Sequence, residues 1–282
     1  EEASQVFIRV MQTKRVVITG STSGIGYAMA DAFLAQGCRI IVNGRRQVRV
    51  EQSCVDLAMR YGSERLYGFP GTVSDPAHVE ALWSYAVEHL GAVDIWINNA
   101  GLGHDTDLLW EIPADTAKEV IEVNVLGLIY GSQVAMKGML EQGFGQIYNM
   151  EGFGSNGRTR DGMSVYGTSK AAVHYLTEAL INEAEDTGII VGTLSPGMVM
   201  TDLLLDRFKD DPKGLEEAKS IFNILADTTD NVAPWLVDQI LSNDKNGANI
   251  DYMPRSKMVG RFLKSPFSKR DLFTGIDDEG AS

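Results

Sequence analysis

The sequence has little of several features that would each mark a particular class of protein. Only 2 of its 282 residues are cysteine, Cys38 and Cys54, which make no disulfide framework and lack metal-ligand spacing. A reducing compartment is therefore expected. No run approaches the roughly 18 apolar residues of a membrane-spanning helix. The first residues lack the basic and apolar regions of a signal peptide, and none is expected.

Basic residues are scarce as well. Lys and Arg number 25 against 38 Asp and Glu, which gives a formal net charge of −13 at pH 7. Because phosphate binding needs clustered Lys and Arg, this balance argues against nucleic acid as a partner. The 4 histidines are scattered without an H-x3-H pair, so no metal site is expected.

Short β-branched runs alternate with longer amphipathic stretches along most of the chain. The runs predict strands at residues 15–19, 39–43, 66–69, 93–98, 146–150, 189–195 and 248–252. The stretches between them predict helices at 23–36, 47–61, 76–90, 114–142 and 165–185. This alternation is typical of parallel sheets with right-handed crossovers. The fold class is therefore α/β: a single doubly wound domain over residues 13–252, with a seven-stranded parallel sheet flanked by helices.

A glycine loop follows the first strand and leads directly into a helix. In the segment from Thr19 to Gly26, Gly20 would make the tight turn and Gly24 would let the backbone approach a pyrophosphate. Gly26 would let the helix pack closely on the strand. The helix N-terminus offers free N–H groups to phosphate. The context favours a Rossmann-type dinucleotide site over the alternative, glycines that only punctuate a turn.

The end of the second strand distinguishes between dinucleotides. A carboxylate there would bind the ribose hydroxyls of NAD, whereas arginine accommodates a 2′-phosphate. The sequence has Arg45 and Arg46 at this place and no carboxylate until Glu51. NADP(H) is therefore the expected cofactor, and two solvated arginines opening a helix are the alternative.

Tyr166 and Lys170 lie four residues apart on a predicted helix, and therefore on one face of it. A tyrosine normally titrates near pH 10 and is a weak acid at neutral pH. An adjacent ammonium group stabilises the phenolate and lowers that pKa. The pair could therefore pass a proton to a carbonyl oxygen.

Together these segments resemble the classical short-chain dehydrogenase/reductase family over roughly residues 13–252. The family's T-G-x3-G-x-G, N-N-A-G, Y-x3-K and P-G motifs match, in order, residues 19–26, 98–101, 166–170 and 196–197. The resemblance implies that Tyr166 is the general acid or base, that Lys170 holds the nicotinamide ribose and tunes Tyr166, and that Asn124 supports a proton-relay water. It also implies a dimer or tetramer. The cofactor contacts that it implies are Gly20, Ser21, Ser23, Gly24, Ile25, Gly26, Arg45, Val73, Asn99, Ala100, Gly101, Tyr166, Lys170, Pro196, Gly197, Val199 and Thr201.

Two places depart from the family pattern. Glu151-Gly152 stands where the family usually has a serine that polarises the carbonyl. Either Ser155 takes that role, or the second hydrogen bond comes from backbone or water; Glu151 fits a structural or substrate-contacting carboxylate better than a catalytic acid. At residues 71–73 the Asp that often meets the adenine is absent, which leaves Val73 as the adenine wall.

The first departure itself resembles one branch of the family, the chlorophyll b reductases, which carry N-[IM]-D-G-x-G-S-x-G where others have serine. Residues 145–158 resemble this pattern, with Glu151 at the position of its Asp, and further similar stretches lie at 94–101, 194–199, 201–204 and 222–226. The implied reaction is NADPH-dependent reduction of the 7-formyl group of chlorophyll b or chlorophyllide b to hydroxymethyl. The alternatives are another bulky apolar carbonyl (steroid, 3-oxoacyl or xenobiotic) and a catalytically silent dinucleotide-binding protein. The location would be cytoplasmic in a bacterium, and the chloroplast stroma or thylakoid surface in a phototrophic eukaryote.

Two further segments lie outside the motifs. Residues 198–228 are apolar at their start and are expected to form a substrate lid. The C-terminal extension, 253–282, carries six basic and no acidic residues from Arg255 to Arg270, interleaved with apolar ones. It predicts either a helix packed on its own or a neighbouring subunit, or a peripheral membrane contact. His104 lies near the expected substrate entrance.

Overall fold

Seven parallel strands form the central sheet of the computed structural model, which describes residues 13–104, 107–205, 208, 212–265 and 270–273. The strands of this sheet are β1 Arg15–Ile18, β2 Arg39–Gly44, β3 Leu66–Pro70, β4 Ile95–Asn98, β5 Gly145–Met150, β6 Ile189–Ser195 and β9 Ala248–Asp251. Their spatial order is β3-β2-β1-β4-β5-β6-β9. The order reverses between β1 and β4, and this reversal opens a crevice at the carboxyl ends of the strands. The predicted doubly wound, seven-stranded parallel sheet is confirmed.

Helices cover both faces of the sheet. Their bounds are α1 Gly24–Ala35, α2 Gln47–Tyr61, α3 Pro76–Leu90, α4 Ala114–Ile121, α5 Gly127–Gln142, α6 Ser164–Glu183, α7 Asp202–Leu205, α8 Pro212–Leu225, α9 Thr229–Ser242 and α10 Arg255–Lys264. Among the residues described, none of these helices is both long and apolar enough to cross a bilayer.

The central strand explains why both faces need cover. Val16, Val17 and Ile18 of β1 are each 0% exposed, although successive side chains point to opposite faces. Val16 and Ile18 share one apolar cluster with residues of α1 and α9, whereas Val17 belongs to a second cluster with residues of α3 and α5. A strand that is apolar on both faces is stable only between two layers of helices.

The helix predicted over residues 114–142 is not continuous. A π-helical turn, Glu122–Leu126, separates α4 from α5. Such turns shift the register of the side chains and are frequent at functional sites. Here the turn contains Asn124, which is 2% exposed.

A second, two-stranded sheet was not predicted from the sequence. β7, Met198–Met200, pairs in parallel with β8, Ala226–Thr228, with Met198 opposite Ala226. These strands bracket the segment that is expected to form the lid, and part of that segment lies outside the described residues. The role as a lid remains a prediction.

Asp227 of β8 ties the C-terminal extension to this small sheet. Its carboxylate is 2% exposed and accepts hydrogen bonds from the guanidinium groups of Arg261 and Arg270, the latter at 2.8 Å. The Lys257 ammonium donates to the carbonyl of Tyr252 at 2.9 Å. Of the basic residues that the structure describes between 255 and 270, Lys257, Arg261 and Arg270 therefore have partners within the chain, as the packed-helix alternative expects.

Candidate active site

The glycine loop lies at the crevice and is pressed against the segment that follows β4. Gly20 has φ +63°, and a Cβ atom there would lie 2.7 Å from the Cα of Ala100. Only glycine fits at such a close approach in the left-handed region. The loop and the segment after β4 therefore form one surface.

Hydrogen bonds fasten these two segments together. The side-chain amide of Asn99 donates to the carbonyls of Thr19 and Gly20 at 2.8 and 3.0 Å. The Thr19 hydroxyl accepts from the backbone N–H groups of Asn99 and Ala100 at 3.0 and 3.1 Å. Because their polar groups satisfy one another, the segments form a rigid floor for a ligand.

A cleft of about 280 Å³ lies above this floor and contains most of the predicted cofactor contacts. Its lining includes Gly20, Ser23, Gly24, Ile25, Gly26, Arg45, Val73, Asn99, Ala100, Gly101 and Thr201. Ser21 does not line it: this side chain is 0% exposed, and its hydroxyl donates to the carbonyl of Ile18 at 2.7 Å. Ser21 stabilises the turn from beneath.

The cleft also contains Arg46, which the sequence placed beside Arg45, and two residues that sequence reasoning missed, Thr22 and Arg49. Arg49 follows Arg45 by four residues at the start of α2, a spacing that could have revealed it. Arg45 reaches across the cleft to Glu119 of α4, and its Nη1 atom lies 2.6 Å from the carboxylate. A cluster of three arginines at one end of the cleft is suited to an anionic group.

Tyr166 and Lys170 both lie on α6 and are buried, at 7% and 5% exposure. The Lys170 Nζ atom is 5.9 Å from the centroid of the Tyr166 ring and donates to the carbonyl of Met150 at 3.0 Å. Burial lowers the pKa of Lys170 to about 8, and the negative charge of Glu151 acts in the opposite direction. The predicted pair is thus brought together in a low-dielectric setting, where an ammonium acts strongly on a phenol.

The side chain of Asn124 connects two segments near Tyr166 and Lys170 through hydrogen bonds. Its side-chain oxygen accepts from the N–H of Leu102 at 2.7 Å, and its amide donates to the Leu102 carbonyl and to the Ser169 hydroxyl, both at 2.9 Å. It therefore joins the segment after β4 to α6. The shift at the π turn provides this orientation, which the spacing of an uninterrupted helix does not predict.

Gly152 and Ser155 lie in the turn after β5. A Cβ atom on Gly152 would come within 2.5 Å of the Tyr166 hydroxyl oxygen. The Ser155 hydroxyl donates to the carbonyl of Lys170 at 3.1 Å and accepts from the N–H of Gly152 at 3.2 Å. Gly152 thus leaves room for the phenol, and Ser155 braces the turn against α6.

The remaining predicted contacts lie at the end of β6 and in the loop after β4. Pro196 and Gly197 join β6 to β7, and Gly197 has φ +73°. Val199 is 8% exposed. The backbone N–H of Tyr166 donates to Nε2 of His104 at 3.2 Å, so His104 lies beside helix α6.

Comparison with known proteins agrees with this geometry. Residues 14–212 match the family described as short chain dehydrogenase. The chloroplastic chlorophyll(ide) b reductase NOL of Oryza sativa subsp. japonica is 38% identical over 230 residues, 80% of this chain and 66% of that protein. NOL of Arabidopsis thaliana is 36% identical over 238 residues, 83% and 67%. The chain thus spans about two thirds of the length of these plant relatives.

Solved structures give the same assignment. Levodione reductase has a TM-score of 0.78 at 25% identity, over 86% of this chain and 97% of that one. The closed form of serine dehydrogenase complexed with NADP+ has a TM-score of 0.73 at 27% identity, over 84% and 93%. The chain belongs to the short-chain dehydrogenase family, which confirms the predicted oxidoreductase class and Rossmann-type fold.

Proposed function

We propose that this protein is an NADPH-dependent reductase of a carbonyl on a bulky apolar substrate, with the 7-formyl group of chlorophyll b or chlorophyllide b as the preferred one. The observation that carries the proposal is the buried Tyr166–Lys170 pair, whose Lys170 Nζ atom would lie 3.7 Å from a Cβ atom on Gly101 in the lining of the cleft. The similarity to chlorophyll(ide) b reductases at 36–38% identity supports the choice of pigment.

The cleft fits NADP(H) in shape and charge. Gly20, in the left-handed region, has no side chain that would fill the cleft. The N-terminus of α1 faces the cleft with N–H groups suited to pyrophosphate. Arg45, Arg46 and Arg49 would hold the 2′-phosphate, and Val73 would form the adenine wall. Pro196, Gly197, Val199 and Thr201 would lie along the nicotinamide. Bound NADPH would supply the hydride.

Each side chain near the reacting carbonyl has a distinct task. Tyr166 donates a proton to the carbonyl oxygen, and the Lys170 ammonium stabilises the resulting phenolate. Asn124 holds the segment after β4 against α6, where a relay water would return the proton. Ser155 is the proposed second donor to the carbonyl, and for this its hydroxyl has to turn away from the Lys170 carbonyl to which it now donates. If Ser155→Ala lost no turnover at saturating substrate, that role would belong to backbone or water.

Exposed apolar side chains, one of them in the lining of the cleft, suit a large, flat substrate. Leu109 and Trp110, in the loop after β4, are 60% and 79% exposed. Phe153 follows Gly152 and is 37% exposed, and Leu203 lines the cleft at 42% exposure. Exposed apolar groups of this kind around a cleft are typical of binding surfaces.

The test is an absorption assay with NADPH and chlorophyll b, chlorophyllide b and a panel of simple ketones. We expect the spectrum of the pigments to shift and the ketones to react more slowly. Tyr166→Phe should lower turnover by about 100-fold or more and leave NADPH binding intact, because a positioned general acid contributes that much. Faster reduction of ketones would favour the alternative substrates, and NADPH binding without any turnover would favour a silent binding protein.

Two kinds of partner are part of the proposal: an anionic membrane surface and further copies of the same chain. Helix α10 exposes Val259, Phe262 and Leu263, at 58%, 44% and 72%, between the exposed residues Arg255 and Lys264. We expect this face to contact anionic membranes, and Leu263→Glu to abolish flotation with vesicles that contain anionic lipid. Unchanged flotation would contradict this. A dimer or tetramer is expected in light scattering.

The location in the cell follows the same reasoning. The two plant relatives are named as chloroplastic. In a phototrophic eukaryote we expect this chain at the chloroplast stroma or thylakoid surface, and in a bacterium in the cytoplasm. Imaging of a tagged chain tests this.

A further inference from the structure

Glu151 is a buried carboxylate for which the proposed reaction has no task. It follows β5, and its side chain is 10% exposed. One carboxylate oxygen lies 2.7 Å from Nδ1 of His174, and the other accepts a hydrogen bond from the Ser195 hydroxyl at 2.5 Å. Two donors from different elements, α6 and β6, therefore hold this carboxylate in one orientation.

Both chain neighbours of Glu151 lie against Lys170: a Cβ atom on Gly152 would lie 3.2 Å from the Cγ and Cε atoms of the Lys170 side chain. Lys170 donates to the carbonyl of Met150, the residue before Glu151, and His174 follows Lys170 by one turn of α6. Burial lowers the pKa of Lys170 to about 8, and Glu151 is the charge that opposes this. An ammonium that is buried against a neutral carbonyl needs such a counter-charge to keep its proton.

The other titratable groups around Lys170 come from the elements packed against α6. On α6 itself they are Tyr166 and His174, and His104 lies beside Tyr166. The π turn brings Glu122, which pairs with Lys118 at 3.7 Å and is 39% exposed. β6 contributes the hydroxyl of Ser195, which does not titrate in this range. Of the carboxylates Glu122 and Glu151, Glu151 is the one whose side chain is mostly buried and whose chain neighbour Met150 is hydrogen-bonded to Lys170.

We propose that Glu151 is a positioning residue of the reductase site. Its carboxylate, oriented by His174 and Ser195, is the counter-charge that keeps Lys170 in the ammonium form, and so keeps Tyr166 a competent acid. His174 is half-exposed and donates through Nδ1, which ties the buried carboxylate to the surface. The consequence for turnover rests on the proposed function, whereas the consequence for cofactor binding does not.

The test compares Glu151→Gln with the unaltered protein in two pH series. One measures the affinity for NADPH by its fluorescence, and the other measures kcat/KM for the aldehyde. In both, the decline on the alkaline side should move to lower pH by roughly one unit, because removal of an opposite charge close by has about that effect. Below the decline, the variant should match the unaltered protein.

Ser195→Ala is the matched control, because it removes one donor to Glu151 and keeps the charge. Its alkaline decline should stay within a few tenths of a pH unit of the original, because the negative charge that acts on Lys170 is kept. If Glu151→Gln does not fold, Glu151→Ser removes the same charge with the residue type common at this place in the family.

A merely structural role would lower NADPH affinity or kcat/KM equally at every pH and leave the decline where it was. That result would overturn the proposal. If the unaltered protein reduced no carbonyl at all, the proposed function would fail, and the NADPH series would still decide the role of Glu151.

Discussion

Two buried charges in this protein, Lys170 in the proposed active site and Asp227 beside helix α10, have opposite electrostatic environments. Asp227 receives hydrogen bonds from Asn231 at 2.8 Å, Tyr252 at 2.9 Å and two arginines. Burial raises its pKa, but these donors outweigh burial and hold the pKa at about 2. Lys170 has a hydrogen bond to a neutral carbonyl, and burial lowers its pKa to about 8.

The difference separates a structural charge from a functional one. The fold stabilises the charged form of Asp227, so this carboxylate in turn stabilises the folded state. The fold penalises the charged form of Lys170, and in the proposed reaction this ammonium is needed to stabilise the Tyr166 phenolate. Groups that destabilise the folded state in this way are often retained because activity needs them.

The largest effect on stability is expected at Asp227. Asp227→Asn should lower the free energy of unfolding at pH 7 by about 3 kcal/mol, because it leaves arginines facing a neutral group. The pKa of Asp227 in the fold is about 2, below the ordinary 3.8, so its contribution is present above pH 3.8 and lost as the pH falls through 2. Urea unfolding at pH 7 and pH 2 checks this, and equal stability of the two proteins at pH 7 would refute it.

Lys170→Met should change the free energy of unfolding in the opposite direction, and raise it. The pKa of Lys170 is about 8 in the fold against the ordinary 10.5, so the penalty is complete below pH 8 and disappears as the pH rises to 10.5. The free energy of unfolding of the variant should therefore be about 2 kcal/mol higher at pH 7, once the lost hydrogen bond is subtracted. Turnover should be lost at the same time. A destabilised Lys170→Met at pH 7 would remove the contrast with Asp227.

The smallest effect is expected at an exposed pair, Arg45 and Glu119, whose side chains are 56% and 52% exposed. Glu119→Gln should change the free energy of unfolding by less than about 0.5 kcal/mol, because water screens such pairs. It should raise NADPH affinity roughly twofold to fivefold, since Arg45 is then available to the 2′-phosphate. NADH is the matched control ligand and should bind unchanged. An equal gain for both dinucleotides would argue against a 2′-phosphate contact at Arg45.

Much of the fold could be predicted because its signals are local. The strand with Val16, Val17 and Ile18 is continuously apolar, which is the pattern of a strand covered on both faces. The break between α4 and α5 could not be predicted, because the residues of the π turn form an ordinary helical pattern. Likewise, β7 and β8 have three residues each and pair across 28 positions, so no local pattern marks them.

The sequence by itself determined the glycine loop, the arginines after β2 and the four-residue spacing of Tyr166 and Lys170. Each depends only on the geometry of neighbouring residues in a turn or helix. Only the tertiary structure decided that Glu151 meets His174 and Ser195, which lie 23 and 44 positions away, and that Asp227 meets Arg261. Such partners and their burial depend on how distant segments pack, and packing sets the charge of a buried group.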